Sequence, residues 1–269
     1  MSRPAPRSAR DGLDHVVVNV LHAMDAAAET FAALGFRLTP RGHHSLGSIN
    51  HLMMTPGPYL ELVGVPETGL QRRDVLDSPV GLNGLVVASA DADATFAQLK
   101  QTGLPVEAPV AFSRPVTVAG RTEEARFRTV RFPAALFPAG RIYHCEHLTP
   151  DLVWRPDWFR HPNGFSGIDR VVVTSPDPAA EAARYAAACN AVAAPDMDGW
   201  SIRLGDFRLH VVAGLVPRFF ELGLRFDALD EIERRARALQ GALWLRRDAA
   251  SATLTLAAFD LLVTCRSSR

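Results

Sequence analysis

Gly12-Leu-Asp-His-Val-Val-Val-Asn-Val20 returns as Gly81-Leu-Asn-Gly-Leu-Val-Val-Ala-Ser89 and again as Gly167-Ile-Asp-Arg-Val-Val-Val-Thr-Ser175. Each copy is a short apolar run behind a glycine, the pattern of a buried strand. Each is followed by an alanine-rich amphipathic stretch that an acidic residue opens, which predicts helices over Asp25 to Leu34, Asp91 to Gln101 and Asp177 to Asn190. Gly35 and Gly103 stand where a helix C-terminus favours positive φ, and Asn190 can take the same role. A fourth, eroded copy begins at Phe219-Phe-Glu-Leu-Gly-Leu-Arg-Phe226, continues into a helix over Leu229 to Leu239, and closes with strands through Trp244 and from Leu254 to Val263.

Beyond the first helix the period shortens. Gly35 to Leu38, Ile49 to Met54 and Tyr59 to Val65 alternate or run apolar between Gly and Pro turns, which predicts three strands. The third copy repeats this with Trp200 to Leu204 and Phe207 to Ala213 around a Gly205-Asp206 turn. In the second copy, Pro109 to Glu124 reads as an insertion ahead of strands Ala125 to Phe132 and Arg141 to Leu148. The plan is therefore α+β: four tandem βαβββ modules forming two curved-sheet domains, because one such curled sheet cannot cover its own apolar face. Residues 11–150 are expected to form the first domain, 151–164 a connector and 165–269 a second, degenerate domain. Trp154 and Trp158, in the turn-rich stretch from Thr149 to Gly164, are expected to pin that connector to a domain surface.

With 29 basic and 29 acidic side chains, no net field draws the chain to nucleic acid or an anionic membrane. The opening Met1 to Arg10 stretch lacks an apolar core for secretion, and no apolar run reaches a membrane span. Cys145, Cys189 and Cys265 lie far apart without a CxxC pair, so a cytoplasmic location is expected. No GxGxxG, Walker A or GxSxG motif is present, which removes the usual nucleotide and serine-hydrolase readings. A small-molecule substrate is the expected partner, with monomer and homodimer both open.

The Asp14-His15-Val-Val-Val strand, the Tyr59-Leu-Glu61-Leu strand and the repeated βαβββ plan resemble the vicinal-oxygen-chelate superfamily. Within it, the stretch His147-Leu-Thr-Pro-Asp-Leu-Val-Trp-Arg-Pro-Asp-Trp158 followed by His161-Pro-Asn-Gly164 is similar to the connector of the glyoxalase-like group. The resemblance covers essentially the whole chain and implies the fold strongly. It leaves the reaction open, since the superfamily hosts lyases, epimerases, dioxygenases, thiol transferases and metal-free binding proteins.

The resemblance also implies where a metal would sit: its ligands come from the first and last strands of paired modules, where alternate residues enter a cup. His15 and Glu61 take those positions in the first module. The second module offers His144 and Glu146 on its last strand, but Gly84 stands where His15 has its counterpart. His15, Glu61 and Glu146, with His144 filling the vacancy, would suit Mn²⁺, Fe²⁺, Ni²⁺ or Zn²⁺, and the missing ligand leaves a metal-free cup equally open. Glu61, Glu146 and His51 are the candidate catalytic groups, moving protons or orienting substrate. In the plainer alternative His15 is a structural histidine and Glu61 pairs with Arg128 or Arg131. His43-His44 reads as a solvated loop, and Cys145 is expected to point away from His144 and Glu146. Arg114, Arg121, Arg126, Arg128 and Arg131 could meet an anionic substrate. Arg170, His210 and Glu221 in the second half read as a structural network beside an apolar Leu261. Glyoxalase-like enzyme on a small oxygenated metabolite is the leading reading, and a metal-free binding protein of the same fold is the rival.

Overall fold

The computed structural model describes residues 12–268. The first module runs β1 (Leu13–Leu21), α1 (Met24–Ala33), β2 (Gly42–His43), β3 (Ile49–Met53) and β4 (Tyr59–Gly64). A short helix, α2 (Arg73–Leu76), leads into the second module: β5 (Gly81–Ser89), α3 (Ala92–Lys100), β6 (Val110–Val118), β7 (Arg121–Arg131) and β8 (Arg141–His147). The third is β9 (Phe165–Ser175), α4 (Pro178–Ala188), β10 (Ala193–Asp196), β11 (Gly199–Leu204) and β12 (Phe207–Ala213). The fourth is β13 (Arg218–Phe226), α5 (Asp230–Ala238), β14 (Ala242–Arg246), β15 (Ser251–Leu256) and β16 (Leu261–Ser267).

Strand pairing turns these modules into two eight-stranded sheets, ordered β2-β3-β4-β1-β5-β8-β7-β6 and β10-β11-β12-β9-β13-β16-β15-β14. In each, the first strands of two modules pair antiparallel at the centre, and each module's last strand lies parallel to its own first. The α+β reading of four βαβββ units holds. Most predicted helix ends hold: Gly35, Gly103 and Asn190 have φ of +83°, +78° and +50°, and Asp91 and Asp177 cap α3 and α4 with their carboxylates, whereas α1 begins at Met24 behind Ala23, with Asp25 inside its first turn and no side-chain cap.

Two strand expectations need correction. Gly35 to Leu38 is not a strand, and that place in the sheet goes to the two-residue β2. Pro109 to Glu124 is not an insertion, because most of it forms β6, which pairs with β7 from Val110 opposite Thr129 to Val118 opposite Arg121. Its mixed polar pattern hid the strand because one side of this hairpin faces water.

β1 divides the molecule's two environments by parity. Val16, Val18 and Val20 enter the main core with α1 and residues of the second sheet. That core joins the halves through aromatic contacts such as Phe36 with Phe165 at 5.3 Å and Phe137 with Tyr185 at 5.0 Å between ring centres. On the other face Val17 joins a separate apolar group with Leu52, Tyr59, Val63, Val86 and Phe127, which lines the first cup. Trp154 fixes the connector to this half, donating from Nε1 to the Gly57 carbonyl at 3.1 Å. Among the described residues no helix is long and apolar enough to cross a membrane.

Gly84 lies close against Val17 where the two central strands pair. A Cβ there would meet Val17 Cβ at 2.8 Å and Cγ2 at 2.9 Å, so the side-chain space at the position matching His15 is already filled. Gly84→Ala is expected to cost about 1–3 kcal/mol in urea unfolding through overpacking, and Gly84→His to cost more without supplying a ligand; an unchanged midpoint for Gly84→Ala would contradict this packing.

Candidate functional site

The cup of the first sheet is built around His15 and Glu61, both buried. β1 places them because it runs parallel to β4 with His15 opposite Tyr59 and Val17 opposite Glu61. A bulge between Leu13 and His15 makes Asp14 an extra residue relative to β5, where Val87 and Val86 are consecutive. Strict alternation would send neighbouring residues to opposite faces, and the bulge relaxes it. Asp14 can therefore reach the same polar array as His15.

The array is continuous. Asp14 Oδ1 meets His15 Nδ1 at 2.5 Å and His147 Nε2 at 3.2 Å. On the other side His15 Nε2 lies 3.3 Å from Glu61 Oε2 and 3.5 Å from the Tyr143 hydroxyl. Glu61 Oε1 accepts from Asn50 Nδ2 at 2.6 Å, and Asn50 Nδ2 lies 3.3 Å from His44 Nε2. The His15 ring stacks on Tyr59, with centres 4.6 Å apart.

Burial opposes charge on Asp14, His15, His44 and Glu61, so their charge states are decided by partners. For His15, burial is outweighed by hydrogen bonds to Asp14 and Glu61, which raise its pKa to about 9. Glu61 is likewise buried, yet the hydrogen bond and charge of His15 hold it down at about 2. Asp14 is held well below the usual carboxylate range by His147 and His15 against the opposing effect of burial. For His44 burial, helped by Arg114 and Arg72, outweighs the charge of Glu61 and pushes its pKa down to about 3, so it is neutral. The centre is thus an imidazolium between two carboxylates.

Around it stand Arg72, Arg114, Arg141, Phe112, Phe127 and Thr129, enclosing about 30 Å³ of free space. Arg72 grips Asp74 with a two-pronged contact at 2.7 and 2.8 Å, and Asp74 Oδ2 lies 3.5 Å from Arg141 Nη1.

Of the residues expected at the site, the structure brings His15 and Glu61 together and places the others elsewhere. His144 Nε2 meets the Ala188 carbonyl at 2.8 Å, facing the second half. Glu146 accepts from the Ala92 amide at 3.0 Å and lies 3.7 Å from Arg128, at the start of α3. His51 Nδ1 meets the Thr39 carbonyl at 2.8 Å, and its Nε2 accepts from Arg41 at 3.3 Å, on the face opposite Asn50 and Leu52. The error in β8 is one of parity. Gly84 pairs with Arg141 and Val86 with Tyr143, so Arg141, Tyr143 and Cys145 face the cup and Tyr143 is the counterpart of Glu61. Glu61 is not paired with Arg128 or Arg131: Arg128 forks onto Asp93 at 2.7 and 2.8 Å, and Arg131 Nε donates to Thr129 at 3.1 Å. Nor is His44 in a solvated loop, since it lines the cup. Asp14, Asn50, Arg72, Tyr143 and His147 were missed, because only non-local register identifies them.

A second group of donors lies beside the first. One ligand atom from each of Asp14, Cys145 and His147 falls within 4.8 Å of the others, which makes this a candidate metal site. In the second half Arg170 bonds Glu221, while His210 lies 3.0 Å from Asp198.

Removing His15 leaves two buried carboxylates without their shared cation, so His15→Ala is expected to destabilise the protein by about 3–5 kcal/mol. The effect depends on pH with a definite sign. Because the folded-state pKa of His15 is raised from 6.5 to about 9, its contribution is full below pH 6.5 and lost as pH rises through 9. Urea unfolding of wild type and His15→Gln should therefore converge between neutral and pH 9.5; a gap that stays constant would contradict the charged assignment.

Comparison with known proteins follows the same lines. A family model described as glyoxalase-like domain matches residues 13–189. A hypothetical protein from Staphylococcus aureus shares the fold with a TM-score of 0.71 at 12% identity, covering 95% of this chain and 98% of that one. The Mn(II)-bound glyoxalase from Novosphingobium aromaticivorans has a TM-score of 0.55 at 12% identity, with 96% and 82% covered. A mutant 4-hydroxymandelate synthase from Streptomyces coelicolor has a TM-score of 0.54 at 15% identity, with 95% and 92% covered. At these identities the likeness is one of fold, and no curated protein matches. With the family model covering well over half of its length, this chain belongs to the glyoxalase-like domain family, within the vicinal-oxygen-chelate superfamily.

Proposed function

We propose that the protein is a glyoxalase-like enzyme that moves a proton on a small, oxygen-bearing, anionic metabolite at the His15–Glu61 pair. The observation that carries this reading is the 3.3 Å contact between His15 Nε2 and Glu61 Oε2 inside a buried cup. A binding protein needs an apolar cup with polar groups at its rim. Here the polar groups converge on one point at the floor.

The chemistry follows from the charge states. A substrate oxygen entering between the two groups would take over the hydrogen bond from the imidazolium. Glu61, freed from that partner, would gain basicity and accept a proton from the carbon beside the carbonyl. His15 Nε2 and the Tyr143 hydroxyl, 3.5 Å apart, are placed to donate to the developing oxyanion. Asp14 holds the imidazole by Nδ1 and keeps Nε2 directed into the cup.

With Nε2 deprotonated, the same geometry would suit a divalent metal, because a ligating histidine characteristically gives its other ring nitrogen to a carboxylate. His15 and Glu61, with Tyr143, would hold the ion, which would supply Lewis-acid polarisation of a bound carbonyl. Asp14, Cys145 and His147 form the other candidate set, although Asp14 there already serves His15. Lyase chemistry, homodimer formation and a cytoplasmic location belong to this same reading.

The test is exchange of the proton beside the carbonyl in D₂O, followed by NMR on a panel of small 2-oxo and 2-hydroxy acids, with metal content measured by elemental mass spectrometry. Wild type is expected to exchange at least one of them, and Glu61→Gln to slow that exchange by about 100-fold or more. No exchange by the wild type, with or without added Mn²⁺ or Zn²⁺, would overturn the reading.

A further inference from the structure

One wall of the cup carries more cation than its carboxylates neutralise. Asp74 is in ion-pair distance of Arg72 and Arg141, and Arg131 is close enough for its charge to act on the same carboxylate and on both of those arginines. Three guanidiniums thus share one carboxylate. Nη2 of Arg141 and Nη2 of Arg131 are buried and have no hydrogen-bond partner. Across the cup, Arg114 is only 6% exposed, and among the described residues no carboxylate lies within ion-pair distance of it. The charge of Glu61 acts on Arg72, Arg114 and Arg141, but its oxygens are held by His15 and Asn50 and pair with none of them.

Buried guanidiniums without full compensation are costly. Burial works against the charge of Arg114, Arg131 and Arg141 alike. Arginine's planar fork suits a carboxylate or a phosphate, and an entering anion would satisfy the orphaned Arg141 donor and offset the excess charge together. The free space is small, about 30 Å³, so the acid that enters is a short one.

We propose that Arg72, Arg114 and Arg141 form an anion cradle that takes the carboxylate end of a short oxygenated acid and presents its neighbouring carbon to Glu61. This rests on the reading of the cup as a substrate site and names the class of substrate it takes. Arg131 stands behind the cradle and adds charge without lining the cup.

The test is binding rather than turnover, by calorimetry on the full chain with a chelator present. Glycolate is the probe, with glycolamide as its neutral analogue and inorganic phosphate as the competing anion. Wild type is expected to bind glycolate, at least tenfold more tightly than either glycolamide or phosphate, and Arg114→Met and Arg141→Met each to weaken it about tenfold or more. Arg114→Met keeps an apolar stem over Gly42 while removing an uncompensated charge, so its thermal midpoint in the absence of anion is expected to equal or exceed that of wild type. No glycolate binding, phosphate preferred to glycolate, glycolamide bound as well as glycolate, or unchanged affinity in both variants would overturn the cradle. Glycolate binding without proton exchange on any acid would keep the cradle and remove the enzymatic reading instead, so the two failures are distinguishable.

Discussion

An imidazolium enclosed by two carboxylates is an expensive object to keep out of water. Asp14, His15 and Glu61 are each more than nine-tenths buried, and the desolvation of such ions costs several kcal/mol apiece before their mutual attraction repays it. Nothing about a curved mixed sheet requires this. Position for position, the second sheet holds two separate pairs, Arg170 with Glu221 and Asp169 with Arg266, and its His210 turns to Asp198. What the first half keeps, and the second does not, is a chain of polar groups from His147 through Asp14, His15, Glu61 and Asn50 to His44, closed over by aromatic rings. The costs are borne where chemistry would be done.

The backbone around the array serves it. The bulge in β1 brings adjacent Asp14 and His15 into one network. Gly84 lets β5 press against Val17, which sets the width of the cup and occupies the place a further ligand would need. Asn19, fully buried, donates to the carbonyls of Val75, Ser78 and Pro79, anchoring the segment that carries Arg72 and Asp74 over the cup. Function and fold meet in these few residues, while the joint core of the two halves gives the sheet a rigid back.

The fold was legible in the sequence because the repeat is a matter of local pattern. An apolar run, a helix and three short strands recur four times, with a leading glycine in the first three copies, and each element is specified largely by neighbours in the chain. The site was half legible. His15 and Glu61 lie on strands whose inward face could be counted from the motif itself. The second module defeated the count: on β8 the chemically conspicuous residues are His144 and Glu146, while the cup receives Arg141, Tyr143 and Cys145. Which alternate set turns inward depends on the pairing of β8 with β5, sixty residues earlier in the chain in order of magnitude, and period alone does not encode it. Asp14 was hidden for a related reason, since a bulge suspends the alternation on which the reading relied. His51 shows the converse: a histidine one residue from Asn50 is attractive by type and excluded by face.

The central claim is that the Asp14–His15–Glu61 array is held for chemistry and not for stability, and urea unfolding of Asp14→Leu/His15→Phe/Glu61→Leu beside wild type tests it most directly. If the array is a functional centre, joint replacement by apolar groups of similar bulk leaves the midpoint unchanged or raises it, because none of the three charges is left buried without its partners. A triple variant that unfolds at markedly lower urea than wild type would mean that the charges hold the sheet together, and would contradict the account.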